Sequence, residues 1–287
     1  MATCYRHPGR ETGVACSNCG RPICPDCMTT SPVGMRCPEC ARQTTKVRTI
    51  RSTSSRRGQE VTLALIAINV IVFLAEGSGV FTLTGSTNNS WLLNHGLLVA
   101  PYIRTSSAYQ IPAHEYYRLV TSGFLHLDFL HIGLNMYVLY WVGRLLEPAI
   151  GRRRFLAIYF TGLLAGSLGV VIVSPLSATA GASGAIFGLM GAAFWEAHQR
   201  GAIQVRNQLV LLIVINLVLT LSIPGVSVGA HVGGLIGGGL ATLGFRQGDR
   251  VRSPALGYAI CLAIAVIAVV GAIYVADHTS LASLQGG

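Results

Sequence analysis

The stretch Phe155–Trp195 contains no Asp, Glu, Lys or Arg, and neither does Ser253–Ala276. Uncharged runs of this length leave few folds open, because about 20 apolar residues in a row are what a helix needs to cross a bilayer. Within lipid every backbone N–H and C=O must be paired inside the spanning structure, so such runs become helices or closed barrels. Composition extends the reading to the rest of the chain. Charged residues make up 11% of the 287 and hydrophobic residues 51%, whereas soluble domains carry roughly 25% charged residues. An all-α polytopic membrane protein is expected.

Seven spans are predicted, near 61–79, 119–143, 154–174, 182–199, 207–223, 227–245 and 254–276. Their connections differ in charge. Arg152, Arg153 and Arg154 follow the second span, Arg200 and Arg206 the fourth, and Arg246, Arg250 and Arg252 the sixth, while the connections after the third and fifth have no Lys or Arg. Basic loops stay in the cytoplasm, so the N-terminus is expected inside and the C-terminus outside. The segment 80–118 then lies outside, where Trp91, Tyr102, Tyr109, Tyr116 and Tyr117 suit the membrane interface. The N-terminus is polar and rich in cysteine, without the short apolar region of a secretory signal. The first span is therefore expected to serve as an uncleaved anchor.

Three segments are expected: a head at 1–45, a basic linker at 46–59 and a membrane domain at 60–287. The linker's Lys46, Arg48, Arg51, Arg56 and Arg57 read as the cytoplasmic flank of a span near anionic headgroups, and nucleic acid is not expected as a partner. Seven of the eight cysteines fall in the head. They run Cys4-x2-His7, Cys16-x2-Cys19, Cys24-x2-Cys27 and Cys37-x2-Cys40, four pairs at the spacing of tetrahedral zinc ligands. Their odd number argues against a full set of disulfides. The head also has few large apolar residues, a shortage that a structural metal makes good.

Polar side chains at membrane depth are costly and point to function. The second predicted span holds His126, His131 and Asn135, the fourth opens with Gly181-Ala182-Ser183-Gly184, and the sixth carries Gly229-Ala230-His231-Val232-Gly233. These three spans run in the same direction, which lets the three sites share one level in the outer half of the bilayer. His131 is expected about 12 residues into its span. His131 and Asn135, four apart, share a helix face. Gly229, Gly233 and Gly237 form a stripe that permits close helix approach, as do Gly181 and Gly184 beside Ser183. Asp128 lies near the face of Asn135 and is the acidic candidate to assist His231, or else sits in water at the outer mouth.

On these residues, the region 60–287 resembles the rhomboid family of intramembrane serine proteases. Tyr117-Arg118, at the place of the family's Trp-Arg, and Glu147 with Gly151 add to the likeness. The resemblance implies a six-helix core plus one C-terminal helix, with Ser183 as nucleophile and His231 as base. It implies an oxyanion site built from His131, Asn135 and the Ser183 amide, supported by His126, Gly181 and Gly184. Phe187 stands where an aromatic packs on the histidine. The implied reaction is hydrolysis of transmembrane protein substrates near the outer side of the bilayer, without a catalytic cofactor, and the implied location is a bacterial plasma membrane. The head resembles B-box-type zinc fingers. That likeness implies two structural zinc ions, the first held by pairs one and three and the second by pairs two and four, in a module for a cytoplasmic partner.

Overall fold

The computed structural model describes residues 2–31, 34–42, 58–76, 90–105, 113–222 and 226–279. Residues 46–57 of the expected linker, with its five basic side chains, and Tyr109 lie outside the described residues. The chain separates into two compact units, Met1–Ser55 and Arg56–Gly287.

The second unit is helical. Its long helices are α1 (Glu60–Glu76), α2 (Phe129–Ile150), α3 (Arg152–Val173), α4 (Ser183–Gln199), α5 (Ile203–Ser222), α6 (Val228–Arg250) and α7 (Pro254–His278). Four of them, α3, α5, α6 and α7, are each long and apolar enough to cross a membrane. Helices α1 and α4 have 17 residues each, about 26 Å at 1.5 Å per residue. Ile71, Leu211, Leu221, Leu262 and Ile267 are exposed, a distribution that suits a lipid surround.

Helix starts are set by specific caps. The buried Glu147 carboxylate, near the end of α2, accepts from the amides of Val61 (3.0 Å) and Thr62 (2.8 Å) and from the Thr62 hydroxyl (2.7 Å). It thereby pairs the free N–H groups that open α1. Gly151 ends α2 at a φ of 83° and lets α3 begin at the next residue. Asp128 caps α2 by accepting from the His131 amide at 2.7 Å. This cap corrects the second span: residues 118–124 form a short helix and a 3-10 turn, so α2 begins at Phe129 rather than near 119. His131 consequently sits in the first turn of its helix, not 12 residues in, and His126 precedes the helix altogether.

Helices α3, α4 and α6 pack on one another, and α7 packs on α3 and α6. Two interleaved glycine rows bring α6 onto α3 and α4. Gly229 meets the Gly169 backbone and Gly233 that of Ala165, both on α3, whereas Gly234 and Gly238 meet Gly184 and Gly188 on α4. The Gly229/Gly233/Gly237 stripe therefore faces α3. The row three and seven residues after His231 shares its face and brings α6 to the serine helix. A Cβ at Gly234 would fall 2.0 Å from the Gly184 carbonyl oxygen. Gly234→Val is thus expected to push α4 and α6 apart and cost about 1–3 kcal/mol or more, read as a lowered Tm in detergent.

The first unit contains two short antiparallel hairpins, β1 (Ala2–Thr3) with β2 (Glu11–Thr12) and β3 (Thr29–Ser31) with β4 (Gly34–Arg36), and a helical turn at Pro38–Arg42. Its buried apolar cluster consists of six cysteines and Ile23. A core made chiefly of sulfur is far too small to offset the chain entropy of folding by hydrophobic burial alone.

Candidate functional site

Ser183 opens α4, and the chain is delivered to it by backbone pairing. Thr179 forms an antiparallel bridge with Leu98, with both N–H···O contacts at 3.0 Å, and the Gly181 amide donates to the Ser122 carbonyl at 2.9 Å. Gly181 takes a φ of 125°, and a Cβ there would lie 2.7 Å from His131 Nε2. Both facts require glycine. The segment that pairs with Thr179 is itself held by Arg118. This buried guanidinium reaches Glu115 at 2.5 Å, the Leu97 carbonyl at 2.8 Å and the Asn94 carbonyl at 3.0 Å, and lies 4.1 Å from the centre of the Tyr102 ring.

The N-terminal ends of α2, α4 and α6 meet here. His231, in the first turn of α6, places Nε2 2.8 Å from Ser183 Oγ. Its ring stacks on Phe187, one turn along α4 from Ser183, with centres 4.3 Å apart and planes 13° from parallel. Phe187 is buried, as is His231. A serine hydroxyl that faces the lone pair of an imidazole is the arrangement from which a base can take the hydroxyl proton.

His131 lies against Gly181, on the same side as Ser183 Oγ. Asn135 is buried one turn below, and one of its amide hydrogens goes to the His131 carbonyl at 2.9 Å. His126 is buried with its ring centre 5.1 Å from that of His131. Neither of its ring nitrogens has a hydrogen-bond partner among the described residues, and its backbone amide donates to Glu76 at 3.3 Å. Gly184 is placed for helix packing, near Ala230 and Gly166. A cavity of about 20 Å³ adjoins Gly181 and Gly184, with Ser122, Ser167 and Thr179 on its wall. That volume has room for a single water.

Asp128 is not a partner of His231: its carboxylate is the cap of α2. The position beside His231 Nδ1 belongs instead to Thr220 of α5, whose Oγ1 lies 2.6 Å away. Sequence reasoning missed this residue. Its only signal is a hydroxyl near the C-terminal end of α5, 11 residues before His231.

In the first unit the ligand atoms form two groups, Cys4, His7, Cys24 and Cys27, and Cys16, Cys19, Cys37 and Cys40. These are pairs one with three and two with four. His7 Nδ1 lies 3.9, 3.3 and 3.5 Å from the sulfurs of Cys4, Cys24 and Cys27, and the Cys19 and Cys37 sulfurs are 3.8 Å apart. Ligands about 2.3 Å from a tetrahedral zinc stand roughly 3.8 Å from one another, so the donor sets fit that ion in both size and chemistry. None of the eight cysteines is joined in a disulfide.

Residues 113–248 match the Rhomboid domain family. Among curated proteins, the chain is 30% identical over 230 residues to Rhomboid protease GluP of Bacillus subtilis, an alignment covering 78% of this chain and 43% of that protein. It is 35% identical over 138 residues to Rhomboid-like protease 5 of Toxoplasma gondii, covering 45% of this chain and 16% of the relative. It is also 35% identical over 132 residues to RHOMBOID-like protein 5 of Arabidopsis thaliana, with 43% and 42% covered. The chain thus spans less than half the length of each of these three. The matched segment, a Rhomboid domain, holds Ser183, His231, His131 and Asn135 together.

Proposed function

We propose that the chain is an intramembrane serine endopeptidase in which Ser183 attacks the scissile carbonyl and His231 serves as its base. The observation that carries the reading is the 2.8 Å contact between Ser183 Oγ and His231 Nε2 at helix ends inside an apolar bundle. His231 takes the hydroxyl proton as Oγ bonds to the carbonyl carbon, then returns it to the leaving amine. Water next hydrolyses the acyl-enzyme, and the small cavity beside Gly181 is a store for it. Developing negative charge on the substrate oxygen meets the unpaired amides and positive dipole end at the start of α4. His131 adds a side-chain donor, and Asn135 another once its amide turns from the His131 carbonyl. Substrates are membrane-spanning proteins cut near the outer face, with the N-terminus of the enzyme cytoplasmic and its C-terminus outside, as the arginine-bearing connections favour. The sulfur-lined head carries two structural zinc ions and docks a cytoplasmic protein.

The test is cleavage of a panel of single-span model substrates by purified protein, wild type beside Ser183→Ala. Cuts made by wild type alone, mapped near the outer end of the substrate span, support the assignment. Equal cutting by both would sink it. Within the same assay Asn135→Ala is expected to lower kcat by about tenfold to a thousandfold. A change confined to KM would make Asn135 a substrate-docking residue.

A further inference from the structure

We infer that Thr220 sets the tautomer of His231 and so prepares it to act as a base, in the place that a carboxylate fills in a three-member triad. The inference rests on the proposed Ser183–His231 pair. Thr220 Oγ1 lies 2.6 Å from His231 Nδ1 and 2.7 Å from the Asn216 carbonyl oxygen. A hydroxyl has a single hydrogen, and a carbonyl oxygen can only accept. With that hydrogen on Asn216, Oγ1 turns a lone pair to Nδ1, and the short contact is satisfied only by an Nδ1–H. A neutral imidazole carries one N–H, so Nε2 is left with its lone pair, facing Ser183 Oγ at 2.8 Å. Which ring nitrogen holds the proton is set by the hydrogen bond that the other one makes.

The setting singles Thr220 out. Helix α5 fully buries two residues, Leu209 and Thr220; its other residues are exposed, or half-buried like Leu212 and Leu217. A hydroxyl at one of these two places is turned inward, onto the imidazole. When the Ser183 O–H bond breaks and an Nε2–H bond forms, Nδ1 keeps its proton, and Thr220 Oγ1 goes on accepting from what is now an imidazolium. No charge has to be held on a second side chain. Thr220 touches neither substrate nor Ser183, so it is a positioning residue. A lone threonine in a membrane helix commonly bonds the carbonyl one turn back for its own satisfaction. The second contact, to Nδ1, is what that habit does not explain.

The test uses the full chain in detergent micelles as wild type, Thr220→Val and Thr220→Ser. Valine keeps the shape and removes the hydroxyl; serine keeps the hydroxyl. Two quantities are measured: the rate at which a fluorophosphonate labels Ser183, and the 15N spectrum of the His231 ring, assigned by its loss in His231→Gln. Wild type is expected to show Nδ1–H. Thr220→Val is expected to lose that single tautomer and to label about tenfold to a hundredfold more slowly, with Thr220→Ser close to wild type in both. An Nε2–H signal in wild type would overturn the inference, as would Nδ1–H retained in Thr220→Val or a Ser variant as slow as Val. If wild-type Ser183 is not labelled at all, the nucleophile assignment fails, and the 15N spectra still decide the role of Thr220.

Discussion

Ser183→Ala is expected to eliminate proteolysis while leaving the protein inserted and folded. The change removes one oxygen, whose contact is the 2.8 Å hydrogen bond to His231, and a net hydrogen bond is worth only about 0.5–1.5 kcal/mol of stability. Its effect on catalysis is of another order. Loss of the nucleophile or base of a serine hydrolase costs roughly 10⁶ in kcat, and removing both costs little more because they act as one unit. His231→Ala should therefore be as inactive as Ser183→Ala, and the double variant no worse than either. His231→Ala also empties the space against Phe187, where the rings stack at 4.3 Å, so its Tm must be measured beside its activity. Residual cutting at a tenth of the wild-type rate in Ser183→Ala would mean that another group performs the attack. Non-additive loss across the two single variants and the double is the specific signature of a pair.

The parts of this site that the sequence declares are those whose chemistry is written locally. Gly181-Ala182-Ser183-Gly184 combines the proposed nucleophile with the glycines its backbone needs, and Gly181 is held at a φ of 125° against His131. Ala230-His231 sits at the head of a glycine-rich run, and Phe187 stands one turn from Ser183. Thr220 has no such mark. Side-chain oxygens and amides within spans routinely bond the carbonyl one turn back, as Asn69, Thr161, Asn216 and Thr242 do here. Nothing in the sequence separates the one that also reaches across to an imidazole. The glycine rows failed to declare their partners for a related reason. Gly229, Gly233 and Gly237 are spaced like Gly234 and Gly238, and only the turn angle from His231 says which row faces α4. The apolar run around Leu119–Leu125 imitates the start of a span, while the actual start is marked by the Asp128 cap, a short-range polar signal that hydropathy averages away.

Removal of metal is expected to unfold the head completely and leave the membrane unit intact. The buried interior of the head is six cysteine sulfurs and Ile23, so hydrophobic burial supplies little, and the fold depends on what holds the thiolates together. Structural zinc in small modules binds with an apparent free energy of about 10–16 kcal/mol near neutral pH, more than such a core could replace. Two donor sets of four are present, which sets the expected stoichiometry at two zinc ions per chain by elemental analysis of the full-length protein. Treatment with a strong chelator should release both ions and open the head to limited proteolysis, with cysteines becoming reactive to thiol reagents in step with zinc release. The membrane unit has its own buried core, built on residues such as Leu139, Tyr159 and Phe187, and contributes none of the ligands. Cleavage of a model transmembrane substrate should accordingly continue at the same rate after chelation. A single zinc per chain, or a head that resists proteolysis without metal, would sink the two-site account. Loss of cleavage on chelation, with the Tm of the membrane unit unchanged, would instead make the head a working part of the protease.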